Sequence, residues 1–409
     1  MIENRVRARR LRAGLSQGEL AGQAGLTRQA IGAVEGGRYV PNTAVALRLG
    51  QLLGCRVEDL FALPDTLEER EVEIAGAVRP DGKGTTGASG TRAERAERVV
   101  VAHARGRWIA HPLRRRRGLQ EAFASADAVL PAGVSTGTDS TGSTNGASGA
   151  GAQTAYAAQT ARLLLAPKRL TRTALLLGCD PSLGIVSDHM ARLARGTEAG
   201  RLAWLEAGSQ SALDAVATGT AHLAGSHLLD APSGAYNLPQ ARRALAATGG
   251  VVVAFARWQQ GLVVAPGNPK GIRGVAGLAR EDVRLANREP GTGSHALLEA
   301  LLGAAGVPTA AIHGYASAVA SHFEVACVVA SGGVDAGIAI EAAADVYGLD
   351  FIPLAEVRFD FVIPADHLEH PAVALLLEAL QTRALRDELR ALPGYDVDDM
   401  GSIREEIAA

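Results

Sequence analysis

The stretch Leu15–Asn42, "LSQGELAGQAGLTRQAIGAVEGGRYVPN", decides the fold at the N-terminal end of the chain. Ser16 and Glu19 have the spacing of a capping box, in which each side chain accepts a hydrogen bond from the backbone amide of the other. This pair predicts the start of a helix. Gly25 ends that helix, and Thr27 caps a second one, which a glycine pair ends in turn. The stretch therefore predicts two short helices joined by a tight turn.

Apolar residues on both sides of this stretch predict further helices packed around it. Within the two helices, the inward faces are Leu20, Ala21, Ala24, Ile31 and Val34. The flanking positions predicted to complete a five-helix bundle are Val6, Leu11, Val45, Leu49, Leu52, Leu53, Leu60 and Phe61. Residues 1–63 contain nine Arg and five Asp or Glu, which gives this segment a net charge of +4. The whole chain has a net charge of −2, so the remaining residues carry −6. A small basic domain on an acidic body favours nucleic-acid binding by one end.

Residues 1–63 resemble the Cro/repressor-type helix-turn-helix family. The resemblance is carried by Ser16-Gln17, the Gly25 turn and the E-x-G-x-x-x-P run Glu35, Gly37, Pro41. It implies that the second helix enters the major groove of double-stranded DNA, where Arg pairs with guanine and Gln with adenine. The alternative is a small bundle that binds protein. The DNA-binding residues predicted on this basis are Gln17, Thr27, Arg28, Gln29, Arg38 and Asn42.

Residues 64–170 are interpreted as a linker region with a small β-hairpin. The run "RVVVAHARGRWIAHPL" partly alternates apolar and polar residues around a turn at Arg105-Gly106. Residues 79–92 and 131–153 are rich in Gly, Ser and Thr, a composition that predicts flexible tracts.

Two short patterns in the same region have bland explanations. Arg114 to Arg117 form a run of four arginines. The run is interpreted as a solvated turn, with an auxiliary phosphate contact as the alternative. Gly133 to Gly137 match the G-x-S-x-G nucleophile elbow, but a low-complexity tract follows instead of a helix, so the match is attributed to chance.

From Thr173 onward, strands alternate with helices, which predicts α/β layers with largely parallel sheets. In such sheets, ligands bind beyond the carboxyl ends of the strands. The predicted strands are residues 173–178, 201–208, 221–225, 251–256, 262–266, 283–288, 334–340 and 350–354.

Three loops of this region have the character of anion sites. Cys179–Gly184, Gly208–Ser211 and Gly291–Ser294 each follow a strand, open a helix and offer backbone amides and hydroxyls. None has the lysine of a phosphate-binding P-loop, and Ala296 stands where the dinucleotide fingerprint needs its third glycine. A small oxyanion is therefore favoured over a nucleotide. The alternative is that the Ser and Thr side chains only cap helices.

The runs "GCDPSLG", "YNLP", "QQGLVVAPGNPKGI", "NREPGTGSHALLEALL", "VASGGVDAGIAIEAAA" and "LPGYD" resemble the periplasmic-binding-protein-like domain related to molybdate-binding proteins. The resemblance covers roughly residues 172–400. It implies a type II fold, with two α/β lobes joined by crossing strands, and molybdate or tungstate as the effector in the cleft. The family often has Arg where His295 stands, so a titratable group replaces a permanent charge here. The ligand-binding residues predicted are Asp180, Ser182, Ser209, Gln210, Ser211, Arg288, Thr292, Gly293, Ser294, His295 and Tyr315.

The remaining sequence features narrow the class of protein. Three scattered cysteines, no signal peptide and no apolar run of about 18 residues predict a cytoplasmic protein without a membrane span. The histidines show no metal-binding spacing, so no metal site and no cofactor are predicted, although His322 and Tyr315 are placed near enough to reach the cleft. The histidines concerned are His222, His227, His313, His322 and His367.

Together these features predict a multidomain chain, divided at residues 1–63, 64–170 and 171–409. It is interpreted as a one-component transcriptional regulator that binds DNA as a homodimer and senses a solute. Two alternatives stay open: the same regulator sensing an organic ligand related to the molybdenum cofactor, and an enzyme acting on such a ligand. No catalytic dyad supports the enzyme.

Overall fold

The computed structural model describes residues 3–62, 67–75, 96–113, 124–131, 158–195, 200–230 and 233–409. The chain divides into two compact units, residues 1–67 and 68–409. The Arg114–Arg117 run, the Gly133–Gly137 match and almost all of the two Gly/Ser/Thr-rich tracts lie outside the described residues.

The first unit confirms the predicted helical bundle. Ser16 Oγ accepts from the amide of Glu19, and Glu19 accepts from the amide of Ser16, so the capping box is formed. Gly25 has φ +69°, the left-handed conformation that a glycine adopts without strain, and Thr27 caps the second helix of the motif. The helices are α1 (Val6–Arg12), α2 (Gln17–Ala24), α3 (Arg28–Glu35), α4 (Thr43–Leu52) and α5 (Val57–Leu60).

The core of this unit differs from the prediction at two positions. Leu11 is 60% exposed and does not contribute to the core. Phe61 lies in a short strand, β2 (Phe61–Ala62), which pairs antiparallel with β1 (Glu3–Asn4) and so joins the two ends of the bundle. The fully buried large side chains are each worth about 1.5–3 kcal/mol of transfer free energy; they are Val6, Leu20, Ile31, Val34, Leu49 and Leu60.

The predicted β-hairpin is part of a larger element. Strands β4 (Glu97–Ala104) and β5 (Arg107–Pro112) turn at Arg105 and Gly106, both with positive φ, as predicted. They close a barrel in the order β3-β5-β4-β6-β7, in which the other strands are β3 (Glu69–Ile74), β6 (Ala128–Leu130) and β7 (Ala158–Leu163). The hairpin alone was predicted because its partners come from distant short segments.

The barrel packs on the α/β domain and is therefore more than a linker. Arg201 Nη2 lies 2.7 Å from both carboxylate oxygens of the buried Asp127. His111 Nε2 donates to the carbonyl of Thr220 (2.8 Å), and Arg105 pairs with Asp366 (2.8 Å). These contacts tie the barrel to the first lobe of the α/β domain.

The α/β domain has two lobes, as the resemblance implied. The first lobe is built on parallel strands β9-β8-β10 and the second on parallel strands β16-β14-β15, in one mixed ten-stranded sheet. First-lobe elements are α6 (Pro167–Leu170), β8 (Thr173–Gly178), α7 (Leu183–Leu193), β9 (Arg201–Glu206), α8 (Ser209–Ala217), β10 (Leu223–Ser226), β11 (Leu229–Asp230), β12 (Ala235–Tyr236) and α9 (Leu238–Ala244). Second-lobe elements are a 3-10 helix (Val275–Ala279), β14 (Leu285–Arg288), α10 (Gly293–Ala304), a 3-10 helix (Thr309–Ala311), β15 (Ala318–Val319), α11 (His322–Ala330), β16 (Ala336–Ile340) and α12 (Glu341–Val346).

Two long antiparallel strands join the lobes. β13 (Gly250–Val264) is one continuous strand, whereas two strands, 251–256 and 262–266, were predicted. β17 (Asp350–Pro364) runs ten residues beyond the predicted end at 354. Residues 257–261, "RWQQG", are polar enough to suggest a loop, but they pair with β17 and continue the strand. The chain ends in a 3-10 helix (Ala365–His367), α13 (Pro371–Leu380), α14 (Arg383–Arg390), β18 (Tyr395–Asp396) and β19 (Ile403–Ile407).

Within the described part of the chain, no helix is long and apolar enough to cross a membrane.

Candidate functional site

The predicted recognition helix presents polar side chains to solvent. Arg28 and Gln29 open α3 and are exposed, whereas Ile31 and Val34 on the opposite face are fully buried. Thr27 Oγ1 accepts from the amide of Ala30 (3.1 Å), so this predicted DNA contact is also the helix cap. The first turn of α3 is thus fixed while two long side chains stay free to reach base edges.

Gln17 is held by a buried ion pair. Its Nε2 donates to Glu35 Oε2 (2.8 Å), and Glu35 also accepts two hydrogen bonds from the guanidinium of Arg10. Burial raises the pKa of Glu35, but the hydrogen bonds from Arg10 and Gln17 and the charge of Arg10 outweigh it and leave the pKa lowered. The carboxylate therefore stays ionised, and one amide hydrogen of Gln17 is committed to it.

The two predicted phosphate contacts after α3 differ in role. Asn42 Oδ1 accepts from the amide of Val45 (3.0 Å) and caps α4. Arg38 is exposed and follows Gly37, whose φ of +69° turns the chain after α3. A cap and a phosphate contact are compatible for Asn42, since its amide nitrogen is a separate donor.

The two lobes touch where two of the predicted anion loops meet. The amide of Gln210, in the first turn of α8, donates to the carbonyl of Gly291 in the second lobe (3.2 Å). Beside this contact lies a cavity of about 80 Å³ lined by Glu206, Ala207, Gly208, Ser211, Glu289, Thr292 and Ala320. Two carboxylates among these residues make the cavity a poor place for a dianion.

The hydroxyls predicted in these loops have three different environments. Thr292 caps α10, because its Oγ1 accepts from the amide of His295. Ser209 is buried and accepts from the amide of His227 (3.1 Å), while Ser211 is exposed at the cavity. Ser182 is 3% exposed and does not cap its helix. The capping alternative therefore holds for Thr292 and not for Ser182 or Ser209.

The side chains of three other predicted ligand-binding residues contact neighbours within their own lobes. Gln210 Nε2 donates to Asp214, one turn along α8 (2.8 Å). His295 Nδ1 donates to the carbonyl of Arg288 (3.0 Å), and its Nε2 lies 3.5 Å from Glu299. The hydroxyl of Tyr315 donates to the same Glu299 (3.1 Å). The side chains of His295 and Tyr315 thus contact each other and Glu299.

The predicted residues Asp180, Ser182, Arg288, Gly293 and Ser294 belong to a different place, a buried polar cluster between the lobes. We define this cluster as these five residues together with Cys179, Ser226, His227, Trp258, Gln260, His322 and Tyr395. Cys179, Asp180 and Ser182 follow β8, Ser226 and His227 stand at the end of β10, and Arg288 ends β14. Gly293 and Ser294 open α10, His322 opens α11, and the remaining members lie on β13 and β18. Every member of the cluster is buried, and the most exposed side chain is that of Tyr395, at 9%. The site therefore lies at the carboxyl ends of the strands of both lobes, where α/β sheets bind ligands.

Arg288 is the charged centre of the cluster. It is 1% exposed, and only its Nη2 is hydrogen-bonded, to the carbonyl of Ala320 (2.8 Å). Nε and Nη1 have no hydrogen-bond partner among the described residues. A buried guanidinium costs several kcal/mol unless an anion and further hydrogen bonds offset its desolvation. The arrangement therefore favours an anion at this point.

Other polar atoms of the cluster are also unpaired within the described chain. They are Asp180 Oδ2, the hydroxyls of Ser182, Ser226 and Ser294, Trp258 Nε1, both side-chain amide atoms of Gln260, and both ring nitrogens of His227 and His322. Most of these groups can donate a hydrogen bond. Unpaired buried polar groups are rare in folded proteins, and so many in one place indicate a ligand site.

Asp180 is the acidic member of the cluster. Its Oδ1 accepts from the Tyr395 hydroxyl (2.6 Å) and from the amide of Ser182 (2.8 Å). Burial raises the pKa of Asp180 to about 6, although these hydrogen bonds favour the carboxylate. The same burial, with the charge of Asp180, raises the pKa of Tyr395 well above its ordinary value. Asp180 therefore titrates near neutrality and changes the net charge of the cluster.

Several of these histidines lie close together in the fold, although their spacing along the chain gives no sign of it. His227 and His322 approach Cys179 so that the sulfur and one nitrogen of each ring lie within 4.8 Å of one another, a group that could hold a metal ion. The rings of His222 and His367 lie 4.7 Å apart and are tilted by 39°, near the joint between the barrel and the first lobe. His313 is exposed. Spacing along the chain misses these groups because the residues come from loops far apart in sequence.

The sequence did contain signals for the residues that were missed. Cys179 stands beside Asp180 in the run "GCDPSLG", Gln260 lies in "QQGLVVAPGNPKGI", and Tyr395 lies in "LPGYD". These runs were used only as evidence of a family resemblance. His227 directly follows a strand, and Trp258 has the alternation of β13, but no local pattern marks either residue as polar lining of a site.

Comparison with known proteins supports the two-part architecture. The family described as "Helix-turn-helix domain" matches residues 4–63, and the family described as "PBP superfamily domain" matches residues 190–381. The sulfate-binding protein SubI from Mycobacterium tuberculosis H37Rv covers 52% of this chain and 83% of its own, with a TM-score of 0.38 and 17% identity.

Two relatives come from Bacillus subtilis strain 168. The uncharacterized HTH-type transcriptional regulator YgzD is 38% identical over 64 residues, which are 16% of this chain and 97% of YgzD. The uncharacterized protein YvgK is 32% identical over 229 residues, which are 56% of this chain and 72% of YvgK. The chain therefore belongs to the same protein family as YvgK and combines a helix-turn-helix domain with a PBP superfamily domain.

Proposed function

We propose that the chain is a transcriptional regulator that binds DNA through α3 and binds an anionic effector in the buried polar cluster. The anion is of the molybdate or tungstate type. The observation that carries the effector proposal is Arg288, a buried guanidinium with two unpaired nitrogens. Several relatives that match the helix-turn-helix segment are HTH-type transcriptional regulators by name, which supports the DNA-binding role over an enzymatic one.

The unpaired donors of the cluster suit an oxyanion. Ser226, Ser294 and Trp258 each offer one hydrogen-bond donor, and Gln260 offers an amide. They come from β10 and α10, on opposite lobes, and from the crossing strand β13. An anion bound to all of them stabilises the closed arrangement of the lobes, and this closure is the change that DNA binding would sense.

The cluster replaces the outer cavity as the proposed place for the anion. Ser211 and Thr292 line the outer cavity with Glu206 and Glu289, whereas the cluster has one guanidinium and one carboxylate that titrates near neutrality. Electrostatics favours the cluster.

Calorimetric titration of molybdate, tungstate and sulfate into the full chain tests the effector. We expect stoichiometric binding of at least one oxyanion, and an increase in Tm with its concentration. The absence of heat and of any Tm shift with all three would overturn the oxyanion. A Tm shift with a pterin-type anion in the same screen would then favour the organic effector.

One helix-turn-helix domain reads a short half-site, so we propose that two chains bind a near-palindrome with half-sites about 34 Å apart or a multiple of that distance. Sedimentation of the complex with operator DNA tests this stoichiometry, and a single chain on a single half-site would contradict it.

A further inference from the structure

Three side chains of metal-ligating type meet in the buried polar cluster. Cys179 directly follows β8, His227 directly follows β10, and His322 is the first residue of α11. Cys179 Sγ and a nitrogen of each ring lie within 4.8 Å of one another, and each residue is 1% exposed. Cys179 and His227 belong to the first lobe and His322 to the second, so one ion held by all three would bridge the cleft.

The two imidazoles are in the state that a metal ion requires. Neither ring nitrogen of His227 or His322 has a hydrogen-bond partner among the described residues. A neutral imidazole whose ring nitrogens are both unpaired has a lone pair available for coordination.

The ring of His227 is fixed in place by its surroundings. A Cβ on Gly293 would lie 2.5 Å from His227 Nδ1 and Cε1, so only a glycine allows the start of α10 to approach this closely. Ser209 Oγ accepts from the amide of His227 (3.1 Å), and Trp258 lies 5.4 Å away, ring to ring. The His227 side chain is thus held in position before an ion binds, which reduces the entropy lost on binding.

We propose that Cys179, His227 and His322 bind one ion of the Zn²⁺ class, with a fourth coordination position left open. One thiolate and two imidazoles are ligands that Zn²⁺ takes in a tetrahedral site. Binding forms the metal–sulfur bond and releases the thiol proton to solvent.

The charges of the loaded site have a consequence for the effector. The ion (+2), the thiolate (−1) and Arg288 (+1) sum to +2, or to +1 when Asp180 is ionised, so an anion at the fourth position would offset the positive charge. This last consequence rests on the proposed effector function, whereas the metal site itself does not.

Cobalt titration of the full chain, freed of metal by chelation and without DNA or oxyanion, tests the site. We expect one equivalent of Co²⁺ to bind, with a thiolate-to-cobalt charge-transfer band and the visible bands of tetrahedral Co²⁺, both removed by Zn²⁺. Cys179→Ser should abolish the charge-transfer band. His322→Gln should weaken Co²⁺ binding by more than the roughly 10- to 100-fold that loss of an outer-shell partner costs.

The other two cysteines provide matched controls. Cys55→Ser and Cys327→Ser, at a half-buried and an exposed position, should keep the band unchanged. Should Cys179→Ser fail to fold, His227→Gln and His322→Gln carry the test. No stoichiometric Co²⁺ binding, or a band that survives Cys179→Ser and disappears in Cys327→Ser, would overturn the proposal. Because no oxyanion is present, either result is independent of the effector titrations.

Discussion

Each of the two units contains a buried arginine, and the two have opposite surroundings. In the helix-turn-helix unit, Arg10 Nε and Nη2 donate to Glu35, and Nη1 donates to the carbonyl of Leu15 (2.7 Å). In the α/β domain, Arg288 is more deeply buried and has one hydrogen bond, to a carbonyl. Arg10 is a structural ion pair that is complete within the protein. Among the described residues, no carboxylate is hydrogen-bonded to Arg288.

The difference distinguishes a buried charge that stabilises the fold from a buried charge that is available to a ligand. Evolution rarely retains an uncompensated buried charge unless a bound partner offsets its desolvation. By this criterion the buried arginine charge of the helix-turn-helix unit is compensated without a ligand, whereas no described residue compensates that of the α/β domain.

Glu35→Ala should have the largest effect, because it leaves Arg10 buried without its counter-charge. We expect a loss of about 3–5 kcal/mol in the free energy of unfolding of this unit, measured by hydrogen exchange of the amides of α2 and α3. The matched control is Glu58→Ala, at an exposed position, which should change stability by no more than about 1 kcal/mol. Equal effects of the two variants would contradict the structural role of the pair.

The same pair predicts the direction of a pH dependence. The pKa of Glu35 is lower in the folded protein than its ordinary value of 4.5. The folded state therefore binds fewer protons than the unfolded state, so the contribution of Glu35 is present above the ordinary pKa and is lost as the pH falls through the lower folded value.

Arg288→Met should have the opposite character from Glu35→Ala. Without an anion, the variant should be at least as stable as the wild type, because an uncompensated buried charge is replaced by an apolar side chain of similar length. Its affinity for the oxyanion should fall by about 2–5 kcal/mol, measured by calorimetry. A strongly destabilised variant that retains its anion affinity would show that Arg288 is structural, like Arg10.

Arg28→Ala tests the exposed side of the comparison. We expect a loss of about 1–3 kcal/mol for the cognate operator and relaxed specificity at one base pair, measured by fluorescence anisotropy over a set of operator variants. Arg38→Ala should weaken binding to all sequences alike and flatten the salt dependence. If Arg28→Ala left both specific and non-specific binding unchanged, α3 would not be the recognition helix.

Asp180 should contribute the smallest effect, as a pH term on anion binding. Its carboxylate loses its charge as the pH falls through about 6, which removes a repulsion from the cluster. Oxyanion affinity should therefore increase across this range, and Asp180→Asn should flatten the dependence. A pH profile that persists unchanged in Asp180→Asn would contradict this role of Asp180.

The accuracy of the sequence predictions follows from the range of the interactions concerned. The helices around Gly25 were predictable because Ser16, Glu19 and Thr27 cap them through contacts three residues apart. The strand β13 was divided in error because Trp258 to Gly261 look like a loop, and only pairing with β17, about a hundred residues later, keeps them extended. Local sequence rules therefore predict the helices around Gly25 and cannot predict the continuity of β13.

The site shows the same division. Arg288 and Ser294 were found because they flank a glycine-rich helix start, a local pattern. The group of Cys179, His227 and His322 was missed because its members come from three loops of both lobes. Ser211 and His295 have the right chemistry for a donor set, but the fold turns them to the outer cavity and to Glu299.

DNA affinity measured with and without molybdate, in the wild type and in Arg288→Met, tests most directly whether the buried cluster controls the DNA-binding unit. We expect the oxyanion to shift the Kd of the wild type for its operator by about 5- to 150-fold, which corresponds to a typical coupling free energy, and to leave the Kd of Arg288→Met unchanged. An identical Kd for the wild type at saturating oxyanion, or an equal shift in Arg288→Met, would contradict this expectation.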